Sequence, residues 1–293
     1  MTPTPQRARL GSPGFDGVAG WDPDREDLAL SRLEHTIEEI GPMVVALSGG
    51  VDSALLAAVA TRQLGPSAVR CITAVSPSLA PSELQDVASM AEEWGLRWQT
   101  VQTEEMADPA YVRNDAQRCA RCKSALLDAL EVFSYAEGCV VVLGVNTDDL
   151  NDYRPGQEVA RQRGARFPLV EAGIDKAMVR SISKRMGLRT WDKPAAACLA
   201  SRIPHGTPVT VRTLSQVARA EAALHSLGLG QLRVRHYGDT ARVEVESAEL
   251  CGAAAMATQI VTRLKALGYA RVTLDLEGFR SGNLSPVLPA KEG

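Results

Sequence analysis

The sequence predicts an α/β protein: a twisted parallel sheet with helices on both faces, followed by a smaller C-terminal α+β unit. Three observations predict it. From about 25 to 190, short uninterrupted apolar runs alternate with helix-period segments, the pattern of strands covered on both sides. From about 207 the order changes to helix, strand, strand, helix, strand. The 293 residues, 45% of them hydrophobic and 23% charged, suffice for one large domain or two modest ones. The expected division is a leader over 1–24, a main α/β domain over 25–205 and a small α+β domain over 206–293.

Residues 26–40 read as a helix, with apolar positions at Leu28, Leu30, Leu33, Ile37 and Ile40. MVVAL at 43–47 reads as a buried strand, 53–64 as a helix and VRCITAV at 69–75 as a strand. A helix follows over 81–94, with Ser82 as its expected cap and Pro81 before it. Then come a strand at 97–102, a helix at 116–134, the strand CVVVL at 139–143 and a helix at 175–187. In the C-terminal part, 211–227 is a helix, and 231–236 and 240–246 are strands that turn near Gly238-Asp239. A helix at 248–267 and a strand at 270–276 complete it, so two helices are expected on one antiparallel sheet.

The formal net charge is -3, and a chain of this balance does not advertise a nucleic-acid surface, so no nucleic-acid partner is expected. Residues 1–24 are rich in Gly, Pro and polar residues and lack the apolar stretch of a secretory signal. They are expected to form a poorly ordered leader. No apolar run approaches the ~20 residues that span a bilayer, so a cytoplasmic location away from membranes is expected. Of six cysteines, Cys71 and Cys139 lie in strand-like runs and Cys251 in an Ala-rich helical pattern, which reads as core packing. Cys119, Cys122 and Cys198 lie in polar surroundings. In a reducing cytosol none of them builds a disulfide framework.

VVALSGGVDSALLAAVA, residues 44–60, carries the main motif. A glycine-bearing turn that runs from a strand into a helix offers free backbone N–H groups and the positive end of the helix dipole, which is an anion site. Gly49 and Gly50 let the backbone approach the anion, while Ser48 and Ser53 add hydroxyls. The loop has no Lys and is shorter than the G-x-x-x-x-G-K-[ST] phosphate loop. SGGVDS resembles the PP-loop signature SGGxDS of the ATP pyrophosphatases, a superfamily that includes GMP, NAD, argininosuccinate and asparagine synthetases and tRNA thiolases. The resemblance implies that Ser48, Gly49, Gly50, Asp52 and Ser53 hold ATP with Mg2+. It also implies adenylation of a substrate oxygen, with Asp52 among the catalytic residues.

RCARCK at 118–123 places Cys119 and Cys122 at i, i+3, on one face of a first helical turn. PAAACLASRIPHGTP at 194–208 holds Cys198 beside Arg202, and GVNTDDLNDYRPG at 144–156 follows a strand end. The last two segments, with LRVRH at 232–236 and LEGFRSG at 276–282, are similar to the ATP-dependent sulfur transferases of nickel-pincer cofactor synthesis, the LarE type. The likeness runs from about 26 to 282. It implies adenylation of a carboxylate of pyridinium-3,5-biscarboxylic acid mononucleotide and sulfur insertion to give the thiocarboxylate, in two rounds.

In one branch of that family a cysteine of the enzyme gives up its sulfur and becomes dehydroalanine. In the other, three cysteines ligate a [4Fe-4S] cluster whose remaining iron carries a sulfide. The presence of Cys119, Cys122 and Cys198 favours the cluster reading, with these three as metal ligands and catalytic residues. Sacrifice of Cys198 is the alternative, and a zinc site completed by His205 or a C-x-x-C redox pair are weaker ones.

Arg233 and Arg235 alternate along a strand and share a face. Taken alone, such a pair reads as a solvated surface. The resemblance assigns both, with Arg280, to the substrate phosphate. Glu221, Glu244, Asp149, Asp152 and Arg154 are weaker candidates for orienting substrate or Mg2+. His205 and His236 read as polar surface, and Trp94 and Trp98 as packing. The resemblance further implies a homo-oligomer, a small-molecule nucleotide substrate, and a sulfide donor or cluster-assembly proteins as partners. A tRNA thiolase would bring an RNA-binding domain or zinc modules and a basic surface, which the sequence lacks. An ammonia-using synthetase has no use for the cysteines. A regulatory ATP-binding module explains neither the arginines nor Cys198.

Overall fold

The computed structural model describes residues 23–151, 155–195 and 197–279. Its first part is a four-stranded, wholly parallel sheet of β1 (Met43–Ala46), β2 (Val69–Val75), β3 (Trp98–Gln102) and β4 (Val140–Leu143). The spatial order is β3-β2-β1-β4, so the winding reverses between β1 and β4. Such a switch point opens a crevice at the carboxyl ends of its two strands.

Alternation along β1 shows why the strand reads as apolar throughout. Met43, Val45 and Leu47 face a core shared with α1 (Pro23–Ile40), α2 (Val51–Leu64), α3 (Pro81–Glu93) and α8 (Lys176–Arg185). Val44 faces the opposite core with Leu127 and Leu130 of α5 (Arg118–Glu137). Both faces are covered, so neither side of the strand is polar. The short helices α4 (Pro109–Val112), α6 (Pro155–Gln162) and α7 (Pro168–Glu171) each begin on a proline, which suits the first helical turn. The sequence pattern missed all three.

Four other expectations change. Helix α1 starts at Pro23 rather than at the expected residue 26. Pro81 is the first residue of α3 after Ala80, and Ser82 does not cap it. The helix expected over 248–267 is divided at Met256 into α10 (Leu250–Ala255) and α11 (Ala257–Ala266). The C-terminal sheet is mixed: β5 (Leu232–Tyr237) pairs antiparallel with β6 (Thr240–Val245), but β7 (Arg271–Leu274) pairs parallel with β6. The helices between β6 and β7 form a crossover, and a crossover returns the chain in the same direction. This sheet packs on α9 (Val211–His225) and α11 through Ala220, Leu224, Val234, Val243, Ile260 and Leu264. The two parts meet where Tyr111, Leu199, Ala200 and Ile203 pack against Val209, Leu214 and Val217.

Candidate active site

The SGGVDS loop joins β1 to α2 at the switch point. Gly49 has φ +78, and a Cβ there would run into Val87 Cγ2, so the position requires glycine. The loop is cross-braced: Ser48 N donates to Ser53 Oγ at 3.2 Å, the two hydroxyls lie 3.0 Å apart, and Ser53 Oγ donates to the Gly50 carbonyl at 3.1 Å. Gly50 precedes α2 with no side chain capping it. The first-turn N–H groups of α2 are therefore not taken by a capping side chain. At the end of β4, a Cβ on Gly144 would lie 2.6 Å from Ser53 N, so the two sides of the crevice touch through bare backbone.

Asp52 bridges the crevice. Its Oδ1 accepts from Asn146 Nδ2 at 3.0 Å and its Oδ2 from Lys176 Nζ at 2.6 Å. Asn146 in turn accepts from the N–H of Asp148 at 3.0 Å and of Asp149 at 3.3 Å. Asp148 Oδ2 accepts from Lys176 N at 3.0 Å. Sequence reasoning missed Lys176, which stands 124 residues from Asp52 and belongs to no short motif. It also missed Lys193, whose Nζ lies 3.7 Å from where a Gly49 Cβ would stand. Lys193 donates to Glu83 at 2.8 Å and Asp86 at 2.6 Å.

The three polar-segment cysteines are gathered into one patch at the carboxyl ends of β2 and β3. Buried Arg118 donates to Asn114 Oδ1 at 2.5 Å and to the Ala200 carbonyl at 2.8 Å. Asn114 Nδ2 donates to Pro204 and Thr207 carbonyls, both at 2.8 Å. These bonds tie the start of α5, with Cys119 and Cys122, to the turn that follows Cys198. Leu199 N donates to the Ser78 carbonyl at 2.8 Å, which draws the same turn to the end of β2.

Cys119 and Cys198 are exposed, whereas Cys122 is half-buried against Tyr111 and Leu199. Burial pushes the Cys122 thiol up to about 12, reinforced by Glu105 and by Cys198 and Cys119. Burial also raises the Tyr111 hydroxyl, with Cys198 and Cys122 adding to it. Among the described residues no group of three His, Cys, Asp or Glu side chains is spaced to hold a metal ion. The thiols are neighbours but not a formed ligand set. Of the other cysteines, Cys71 and Cys139 are buried as expected, but Cys251 is exposed.

The C-terminal arginines form a buried charge cluster. Arg202 makes two bonds to Glu221, at 2.9 and 3.1 Å. Arg235 makes two to Glu244, at 2.9 and 2.8 Å, and a third to the Ser201 carbonyl at 2.9 Å. Glu221 and Glu244, considered as ligands for substrate or Mg2+, thus orient arginines instead. Arg233 is 6% exposed, and among the described residues no acceptor takes its N–H groups. Burial, with the nearby charges of Arg202 and Arg235, lowers it to about 10. His236 is buried against Tyr269, contrary to the surface reading, and His205 lies 3.3 Å from the Asn114 carbonyl. Trp94 and Trp98 pack on the main core, as expected. Arg280, Asp152 and Arg154 lie outside the described residues.

A braced anion loop at the switch point of a parallel sheet defines a PP-loop, ATP-using protein, and the NAD synthase family profile matches residues 31–124. Across its length the chain is 46% identical over 262 residues to an uncharacterized protein of Synechocystis, covering 88% of this chain and 97% of that one. It is 34% identical over 259 residues to the pyridinium-3,5-bisthiocarboxylic acid mononucleotide synthase of Lactiplantibacillus plantarum, covering 88% of this chain and 94% of that enzyme. An uncharacterized protein of Methanocaldococcus jannaschii is 26% identical over 259 residues, covering 86% of this chain and 97% of its own. The chain belongs to the family of the pyridinium-3,5-bisthiocarboxylic acid mononucleotide synthase and is an ATP-dependent enzyme. No helix among the described residues is long and apolar enough to cross a membrane.

Proposed function

We propose that this enzyme adenylates a carboxylate of pyridinium-3,5-biscarboxylic acid mononucleotide and replaces the AMP by sulfur, giving the thiocarboxylate. The observation that carries the proposal is the placement of a cysteine patch and a PP-loop at the carboxyl ends of adjacent parallel strands. The carboxylate oxygen attacks the α-phosphorus of ATP and the bond to pyrophosphate breaks. The braced loop and the α2 N-terminus hold the phosphates. Asp52 would meet the Mg2+ that accompanies ATP, and Lys176, released from Asp52, would meet a phosphate. Residues 25–205 would then perform the adenylation, while 206–293 supply the substrate's phosphate site at Arg233, framed by Arg235 and Arg202.

Cys119, Cys122 and Cys198 are the residues that would hold the [4Fe-4S] cluster of the sequence reading. A three-thiolate cluster leaves one iron free to carry sulfide. The donor types fit, but the spacing fits only if the sulfurs converge further and the buried Cys122 thiol ionises. A second reading is favoured by the exposure of Cys198. Its thiolate attacks the acyl-adenylate and the C–O bond to AMP breaks. Loss of the Cys198 α-proton then cleaves Cβ–S, leaving dehydroalanine and the thiocarboxylate.

Single-turnover assay with ATP and the biscarboxylate tests the function: AMP and thiocarboxylate should form together. AMP without thiocarboxylate, in protein holding iron and sulfide, would overturn sulfur transfer while keeping the adenylation. Mass spectrometry of the product enzyme separates the sulfur sources, since sacrifice removes the elements of hydrogen sulfide from Cys198 and a carried sulfide leaves the chain intact.

A further inference from the structure

Arg233 is enclosed by a side chain from outside its own hairpin. Glu244 lies directly opposite it in the β5–β6 register, yet turns its oxygens to Arg235 and Arg242. What Arg233 touches is the ring of Phe279, whose centroid is 4.4 Å from the guanidinium carbon.

The turn after β7 puts that ring there. Asp275 N donates to the Val243 carbonyl at 2.8 Å and Phe279 N to the Val245 carbonyl at 2.7 Å, so the chain returns to the edge of β6. Between them Gly278 N donates to the Asp275 carbonyl at 3.2 Å, and Glu277 N to Asp275 Oδ1 at 3.0 Å. Gly278 has φ +75, and a Cβ on it would stand 3.0 Å from Ser247 Oγ and 3.1 Å from the Val245 carbonyl. The turn tolerates no side chain at that point, and its tightness fixes where Phe279 emerges.

We propose that Phe279 is a positioning residue for the substrate's phosphate, holding the Arg233 guanidinium by stacking on its face and leaving its edge N–H fork for a phosphate monoester. A guanidinium presents its donors in its own plane, so a ring on the face obstructs none of them. The stack also keeps a buried cation in place beside Arg202 and Arg235, whose like charges repel it. The inference rests on the assignment of Arg233 to the phosphate.

The test titrates nicotinic acid mononucleotide, a pyridinium nucleotide with one phosphate, into enzyme whose loop is filled by a nonhydrolysable ATP analogue. Phe279→Leu should weaken mononucleotide binding about five- to thirtyfold, from the top of the exposed range to that of a desolvated cation–π contact. Phe279→Trp should stay within about twofold of wild type, because the ring is retained. Affinity for the ATP analogue should not change in either. Gly278→Ala should reproduce the Leu loss by displacing the ring. Arg233→Met is the control for the site itself. If it abolishes binding while Phe279→Leu binds normally, the positioning role is refuted and the phosphate assignment stands. If neither variant matters, both fail. If Leu and Trp lose equally, the ring serves packing alone and the inference is overturned.

Discussion

Replacing Asp52 by Asn separates the electrostatic role of this residue from its structural one. The amide keeps an oxygen for the Asn146 Nδ2 bond, now 3.0 Å, and loses only the charge that holds Lys176. That ion pair is 2.6 Å long, with side chains 34% and 17% exposed. A pair so open to water contributes about 1 kcal/mol or less to stability. The melting temperature should therefore fall by no more than about 4 °C. Chemistry should suffer far more. A carboxylate that fixes the Mg2+ on the reacting phosphates is worth on the order of 10²–10³ in rate. The assay is AMP release with the biscarboxylate at saturating ATP, beside calorimetric binding of ATP. Binding of ATP measured without Mg2+ should hold or improve, because Lys176 is freed to meet a phosphate. AMP formation should drop at least about a hundredfold. AMP release within about threefold of wild type would refute the placement of Asp52 in the adenylation machinery. A collapse of the fold would refute the separation of roles.

Cys198→Ala should keep ATP-dependent pyrophosphate release and lose thiocarboxylate; retention of sulfur transfer would remove Cys198 from the mechanism. Anaerobically purified wild type should be brown if the three thiols hold a cluster, and each single Cys→Ala variant at 119, 122 or 198 should lose that colour and its iron; colourless, iron-free wild type after reconstitution refutes the cluster reading. In metal-free protein, iodoacetamide should modify Cys122 about a thousandfold more slowly at pH 8 than a thiol of ordinary acidity, because burial raises it from 9.0 to about 12. The thiolate is the reactive form, so the rate should rise about tenfold per pH unit as pH climbs toward 12; rapid labelling at pH 8, followed by peptide mass mapping, would contradict the burial. Glu244→Gln should destabilise the protein by about 3–5 kcal/mol in urea, since it strips a fully buried carboxylate from Arg235, whose side chain is 2% exposed; a loss under about 1 kcal/mol would show that the cluster is already hydrated.

The parallel sheet is legible in the sequence because burial on both faces keeps β1 and β4 apolar throughout and β2 mostly so. The C-terminal sheet is less so. Its strands and helices are visible, but strand direction depends on the connection between β6 and β7, and the apolar pattern of α10 and α11 does not show that they form a crossover. Pro109, Pro155 and Pro168 open helices too short for a period to show. Cys251 illustrates the same limit: an Ala-rich helix pattern does not tell which side faces the core, and Cys251 lies on the open side.

At the site, what is local is legible and what depends on pairing is not. Ser48 to Ser53 fall within one turn of chain, so the brace between the serines follows from the motif. The partners of Asp52 do not, because Asn146 arrives from the end of β4 and Lys176 from the first residue of α8. The arginines show how register decides which of them finds a carboxylate. Spacing makes Arg233 and Arg235 equivalent, since both point to the same face. Glu244 stands opposite Arg233 but bonds diagonally to Arg235, and Glu221 is taken by Arg202. Adding Arg242 with its partners Glu244 and Asp275, the cluster holds four arginines and three carboxylates among the described residues. Among these, Arg233 is the cation left over. A largely buried guanidinium lowered to about 10 by burial and its like-charged neighbours is relieved by an anion. On the proposed function, the substrate's phosphate would supply that anion, and the same surplus that costs the free enzyme stability would direct the mononucleotide to Arg233.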